Sequence, residues 1–124
     1  MKKQGSFTEE AVKKMERQIE EILEKHSEKI KSLYLNLRQI VYISAASEVN
    51  ETLWAKLPSY YVGEKFVRLI PFKDHINVEA KAIDRHKDEL AGYKITPKGM
   101  LQIFENEEIP DSLLRKIFEE TLGE

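Results

Sequence analysis

The chain contains no cysteine. That absence excludes disulfides, thiolate zinc sites, cysteine-held iron–sulfur clusters and thiol nucleophiles. Any metal site has to be built from carboxylates, the three histidines or backbone oxygens. Glycine is scarce as well. Its five residues are scattered singly, and Lys98-Gly99 lacks the preceding spacing of a phosphate-binding loop. No Gly-x-Ser-x-Gly elbow presents a serine nucleophile. Long apolar runs are missing too. The longest uncharged stretch, Gln39 to Ser47, has nine residues, whereas a membrane-spanning helix needs about 20. Lys2 and Lys3 lead into Gln-Gly-Ser-Phe-Thr-Glu-Glu rather than an apolar segment, so no signal peptide is expected and the cytosol is the expected location.

Neither sign of charge dominates: 20 Lys+Arg stand against 22 Asp+Glu, a formal net charge of −2. A nucleic-acid binder shows a concentrated basic surface. None is visible, so neither nucleic acid nor membrane is an expected partner. The partition along the chain is uneven: residues 1–50 carry +1, residues 51–100 carry +2, and residues 101–124 carry −5.

What is present is enough for one domain over residues 1–124, because 41% of the chain is hydrophobic and a chain this long builds its own core. Val12, Met15, Ile19, Ile22 and Leu23 recur at steps of three and four, the stripe of an amphipathic helix. Thr8 is its candidate cap, with Phe7 and Val12 as a hydrophobic staple. Residues 1–27 thus read as an extended N-terminal helix whose stripe can pack on its own sheet or on a second chain, giving a homodimer. A second stretch holds Ile30, Leu33, Tyr34, Leu37, Ile40 and Val41. Lys25-His26 suits a helix end and Ser27-Glu28 a start. One unbroken helix over 8–45, a rod of ~55 Å, is the alternative.

Beyond Val49 the period changes to two. Glu51 to Leu57 reads as a strand ending at Pro58, with Leu53, Ala55 and Leu57 on one side. Tyr60 to Glu64 reads as a turn, Phe66 to Phe72 as a second strand and His75 to Glu79 as a third, joined by Lys73-Asp74 in a tight antiparallel hairpin. Ala80 to Leu90 reads as a short helix stopped by Gly92, Met100 to Phe104 as a fourth strand, and Pro110 opens a last helix that Gly123 ends. The expected fold class is α+β, with helices packed on one face of an antiparallel sheet of about four strands.

The residues offer few chemical groupings. His75, beside Asp74, is either a surface hairpin residue or a general base or metal ligand. His86, within Asp84-Arg-His-Lys-Asp88, reads as a solvated helix face, and His26 as a helix-end residue. Glu16, Glu20 and Glu24 recur every four residues along one helix face, and Glu105, Glu107 and Glu108 cluster near the last helix; these are the metal candidates. Trp54, Tyr60, Tyr61, Phe66, Phe72, Tyr93 and Phe104 all fall in the sheet half, and Trp54, Tyr60, Phe66 and Tyr93, with His75, are the candidates to line a pocket with Lys94 or Lys98 at its mouth.

The stretch from Glu51 onward resembles the YdhG-like family of small bacterial proteins. The resembling features are Glu51-Thr-Leu-Trp54 running into Leu57-Pro-Ser-Tyr60, then Phe72-Lys-Asp-His75-Ile76 and Glu89-Leu-Ala-Gly-Tyr93-Lys94. Lys98-Gly99 ahead of a strand, and Ile109-Pro110 opening a helix with Leu113, Leu114, Lys116 and Ile117, complete the series over roughly the last 75 residues. The chain departs from the family at Leu57-Pro58, where Met-Pro is usual, at Ile70-Pro71, where small residues are common, and at Asn77, where Gly is common. The resemblance implies a helix ahead of the first strand, over Ile30 to Ala46, and a non-enzymatic protein. One branch of the family is described as frataxin-like iron chaperones. For this chain that implies weakly bound iron held by surface carboxylates, with iron–sulfur or haem assembly proteins as partners.

Overall fold

A computed structural model describes residues 9–123, with side chains from Lys13 to Gly123. The expected Thr8 cap and the Phe7–Val12 staple lie outside the described residues. Two helices open the chain, α1 (Glu9–Leu23) and α2 (Glu28–Ser44). The break falls where Ser27 can cap: its Oγ accepts the Ile30 N–H at 3.1 Å. α1 contributes Ile19 and Leu23 to the core, so part of the expected stripe packs on its own chain.

Six strands follow rather than four: β1 (Asn50–Trp54), β2 (Leu57–Val62), β3 (Lys65–Pro71), β4 (His75–Ala80), β5 (Lys94–Ile95) and β6 (Leu101–Phe104). They form one antiparallel sheet in the order β1-β2-β3-β4-β6-β5. The expected single strand Glu51–Leu57 is a hairpin folded at Ala55-Lys56, both with positive φ (50° and 68°). The fold-back pairs Trp54 with Leu57, so Leu57 shares the face of Trp54 and not that of Leu53. Tyr60 to Val62 is strand; the turn is Gly63-Glu64, where Gly63 adopts φ 63° at no steric cost. Pro58 sits inside β2 but pairs only with Leu53 of the edge strand.

The expected helix Ala80–Leu90 is a 3-10 helix, Lys81–His86, followed by turns through Gly92. One of its first N–H groups finds a tertiary partner, since Ala82 N–H donates to Thr121 Oγ1 at 3.1 Å. α3 (Asp111–Leu122) begins after Pro110, whose carbonyl accepts the Leu114 N–H at 2.8 Å. Gly123 follows it, at a position where a Cβ would collide with the Glu119 carbonyl oxygen.

The helices cover one sheet face. Tyr60, Val67, Leu69, Ile76, Val78, Leu101 and Ile103 point into the layer shared with Ile30, Tyr34, Leu37, Leu114, Ile117 and Phe118, all of them fully buried. No described helix is long and apolar enough to cross a membrane.

Candidate functional site: the uncovered sheet face

Strand alternation sends every second side chain to the other face, which no helix covers among the described residues. From the register, Trp54, Thr52, Ser59, Tyr61, Phe66, Arg68, Ile70, His75, Asn77, Glu79, Gln102 and Phe104 share it, and Phe72 continues it past β3. Such a face is usually solvated. Here it carries five of the eleven aromatic residues of the chain: Trp54, Tyr61, Phe66, Phe72 and Phe104. Trp54 is 54% exposed and Phe72 41%.

Arg68 organises one part of it. Its guanidinium lies 4.4 Å from the Trp54 ring centroid and 4.2 Å from that of Phe66, close to both π systems. Its N–H groups donate to Ser59 Oγ at 2.7 Å, Glu79 Oε1 at 3.0 Å and the Tyr61 hydroxyl at 3.1 Å. Arg68 is therefore buried without a helix above it, and its own side-chain neighbours provide the cover. Sequence reasoning passed over this residue. The available signal was a single charge at the third position of the apolar strand Phe66–Phe72.

At the end of the sheet that holds Trp54, Phe72, His75 and Phe104 form a ladder. The His75 ring stacks on Phe72 at 4.8 Å, with the planes 12° apart, and lies 4.8 Å from Phe104 on its other side. The Lys94 Nζ sits 5.3 Å from the Phe104 ring centroid. His75 Nδ1 and Asp74 Oδ1 are 2.8 Å apart. That hydrogen bond holds the Asp74 carboxyl below the usual carboxylate range. The remaining ring nitrogen of His75 faces Gln102, at 3.4 Å.

The other expected site residues are dispersed. Tyr60 lies in the core and hydrogen-bonds to Tyr34. Burial raises the pKa of both hydroxyls far above the ordinary tyrosine value. Beside them Glu51 accepts two bonds from Arg38, at 2.7 and 2.8 Å, and one from the Tyr42 hydroxyl at 3.2 Å. Burial works to raise the pKa of Glu51, but the Arg38 bonds and charge prevail and leave it lowered. Tyr93 donates to the Glu108 carbonyl at 2.7 Å. Lys98 lies at the opposite end of the sheet from His75, in a groove that it shares with Phe66.

The carboxylates expected for iron are kept apart. Glu16 and Glu20 line a groove of about 460 Å³ together with Lys13, Arg17, Arg38 and Glu51. Glu24 is exposed on the last turn. Glu105 Oε1 accepts from Ser27 Oγ at 3.4 Å, Glu107 Oε1 accepts the Phe104 N–H at 2.9 Å, and Glu108 is exposed. Among the described residues no three His, Asp or Glu side chains come together in a way that could hold a metal ion.

His86 corrects an expectation. It is 7% exposed rather than solvated, and both ring nitrogens meet carboxylates: Nδ1 lies 2.5 Å from Glu89 Oε1 and Nε2 lies 2.9 Å from Glu120 Oε1. The hydrogen bonds to Glu89 and then Glu120 raise its pKa. The local charge pattern around Asp84-Arg-His-Lys-Asp88 hid this, because Glu120 comes from α3. Comparison with protein-family models, curated proteins and solved structures finds no match for this chain.

Proposed function

We propose that this chain is a non-enzymatic cytosolic member of the YdhG-like family and acts as a protein-binding module through its uncovered sheet face. The observation that carries this reading is the exposure of Trp54 and Phe72 on a helix-free face that Arg68 and the His75 ladder hold in fixed geometry. Trp, Tyr and Arg at the centre of a surface are the residue types on which protein interfaces concentrate their binding energy. The described grooves of about 400, 970 and 460 Å³ are not lined by Trp54, Phe72 or His75. Small molecules favour concave sites, so a protein surface fits this one better. The fold disperses the carboxylates on which an iron reading would rest, and among the described residues no three of them come together.

The test is site-specific photo-crosslinking in cells, with a photoreactive residue placed at Trp54, at Phe72 and, as a control on α2, at Leu35. A discrete adduct from positions 54 and 72, absent from 35, is expected. An adduct near twice the 14.5 kDa of the chain would identify the partner as a second copy. Equal labelling from Leu35, or no adduct from either outer-face position, overturns the reading.

A further inference from the structure

The end of the sheet opposite Trp54 and Phe72 opens into a groove of about 970 Å³. Its size lies within the roughly 300–1,000 Å³ of small-molecule sites. The β2–β3 turn, the start of the 3-10 helix, the Lys98-Gly99 turn and the end of α3 surround it. Val62, Ala80 and Leu122 give it aliphatic lining, and Phe66 contributes an aromatic wall. This groove does not belong to the exposed aromatic surface proposed for protein binding, although Phe66 and Glu79 touch both.

Its charges do not cancel. Lys65, Lys81 and Lys98 line it, as do Glu64, Glu79 and Asp84. Two of those acids are already engaged: Glu79 pairs with Arg68 at 3.0 Å and Asp84 with Lys87 at 3.0 Å. Among the described residues none of the three lysines has an acidic partner within 4.0 Å. Among the described residues the remaining opposition is Glu64 and the carbonyl end of α3, the latter equivalent to about half a negative charge. Three unpaired cations outweigh both, so the uncompensated charge of the described lining is positive. An aliphatic lining under a cationic rim selects a molecule with an apolar body and one anionic head.

We infer that this groove binds a small organic acid, its carboxylate among Lys65, Lys81 and Lys98 and its aliphatic body against Val62, Ala80 and Leu122. The head makes charge-assisted hydrogen bonds to ammonium groups that otherwise face water. The body removes apolar surface of both partners from water, at roughly 25 cal/mol per Å². Head and body are both needed, since an exposed ion pair alone contributes little.

The experiment is titration of the full-length ¹⁵N-labelled protein, followed by amide chemical shifts, with three probes: octanoate, octan-1-ol and acetate. Octanoate is expected to give saturable shifts confined to residues 62–66, 79–84, 98–99 and 121–123. Octan-1-ol, which lacks the charge, and acetate, which lacks the body, are each expected to bind at least tenfold more weakly. The triple variant Lys65→Gln, Lys81→Gln and Lys98→Gln is expected to weaken octanoate at least tenfold while keeping the dispersed spectrum of the folded chain. If that spectrum collapses, Lys98→Gln alone, on an exposed turn, is expected to weaken octanoate at least threefold. Octanoate shifts elsewhere on the molecule, equal affinity for the alcohol, or unchanged affinity in the lysine variants overturns the inference. Failure here leaves the crosslinking result from Trp54 and Phe72 untouched, so the two ideas fall separately.

Discussion

A histidine with carboxylates at both ring nitrogens favours its charged form, because only the imidazolium supplies two N–H donors and a carboxylate only accepts. His86 is in that position between Glu89 and Glu120, and Arg85, 3.3 Å from Glu120, shares the second carboxylate. The raised pKa of His86 fixes the sign of its linkage to folding. A group whose folded pKa exceeds its unfolded value, near 6.5 for histidine, contributes its full stabilisation below that unfolded value. The contribution disappears as pH climbs through the folded one. Urea unfolding of the wild type is therefore expected to lose stability on going from about pH 6 to pH 8, and His86→Gln is expected to flatten that slope. An unchanged slope in the variant would show that the clamp makes no contribution. Glu120, held low by His86, works in the opposite sense and only in the acid range, as its depressed pKa is approached. The two effects are thus separable by pH.

At the scale of elements, the β1–β2 hairpin holds the clearest local conflict. Ala55 and Lys56 both occupy positive φ, 50° and 68°, in a two-residue turn that favours Asn-Gly. A non-glycine residue there costs about 1–2 kcal/mol. The double substitution Ala55→Asn with Lys56→Gly is expected to raise unfolding stability by about 1 kcal/mol, read from the urea midpoint at unchanged slope. A loss of stability would mean that the Lys56 side chain makes a contact outweighing the strain. The same turn explains why this hairpin was invisible in the sequence. Nothing in Trp54-Ala-Lys-Leu57 signals a reversal, and the period-two pattern runs straight through it. Where local chemistry and tertiary structure agree, the sequence was readable. Ser27 marked the α1–α2 break and Lys73-Asp74 the β3–β4 hairpin, and the α3 stripe of Leu114, Ile117 and Phe118 did reach the core. The candidate site was legible only in part. Composition places Trp54, Tyr61, Phe66, Phe72 and Phe104 in the sheet half, but their common face depends on register. One missed turn reversed the side assigned to Leu57. Arg68 and the His86 clamp were not legible, because their partners lie on other strands or on α3.

For the whole molecule, the two layers are stitched by a polar seam as well as by apolar contact. Tyr34, Arg38 and Tyr42 come from α2, whereas Tyr60 and Glu51 come from the sheet, and the hydrogen bonds among them cross the helix–sheet boundary. Among its described side chains α1 has no comparable seam. Its described side chains bury only Ile19 and Leu23, against seven buried residues on α2. Local opening follows buried contact, so α1 belongs to the low-stability end of the molecule. Native-state hydrogen exchange is expected to show amides 14–23 protected at least a hundredfold less than amides 33–41. Removing residues 1–26 is expected to leave a chain that still unfolds cooperatively, with its thermal midpoint lowered by several degrees. Equal protection in the two helices, or loss of cooperative unfolding on truncation, would place α1 within the global folding unit. Light scattering on the same pair of chains answers the dimer question. A dimer that survives truncation cannot be held by the α1 stripe. The interface must then lie elsewhere, and the aromatic sheet face around Trp54 is the first surface to mutate.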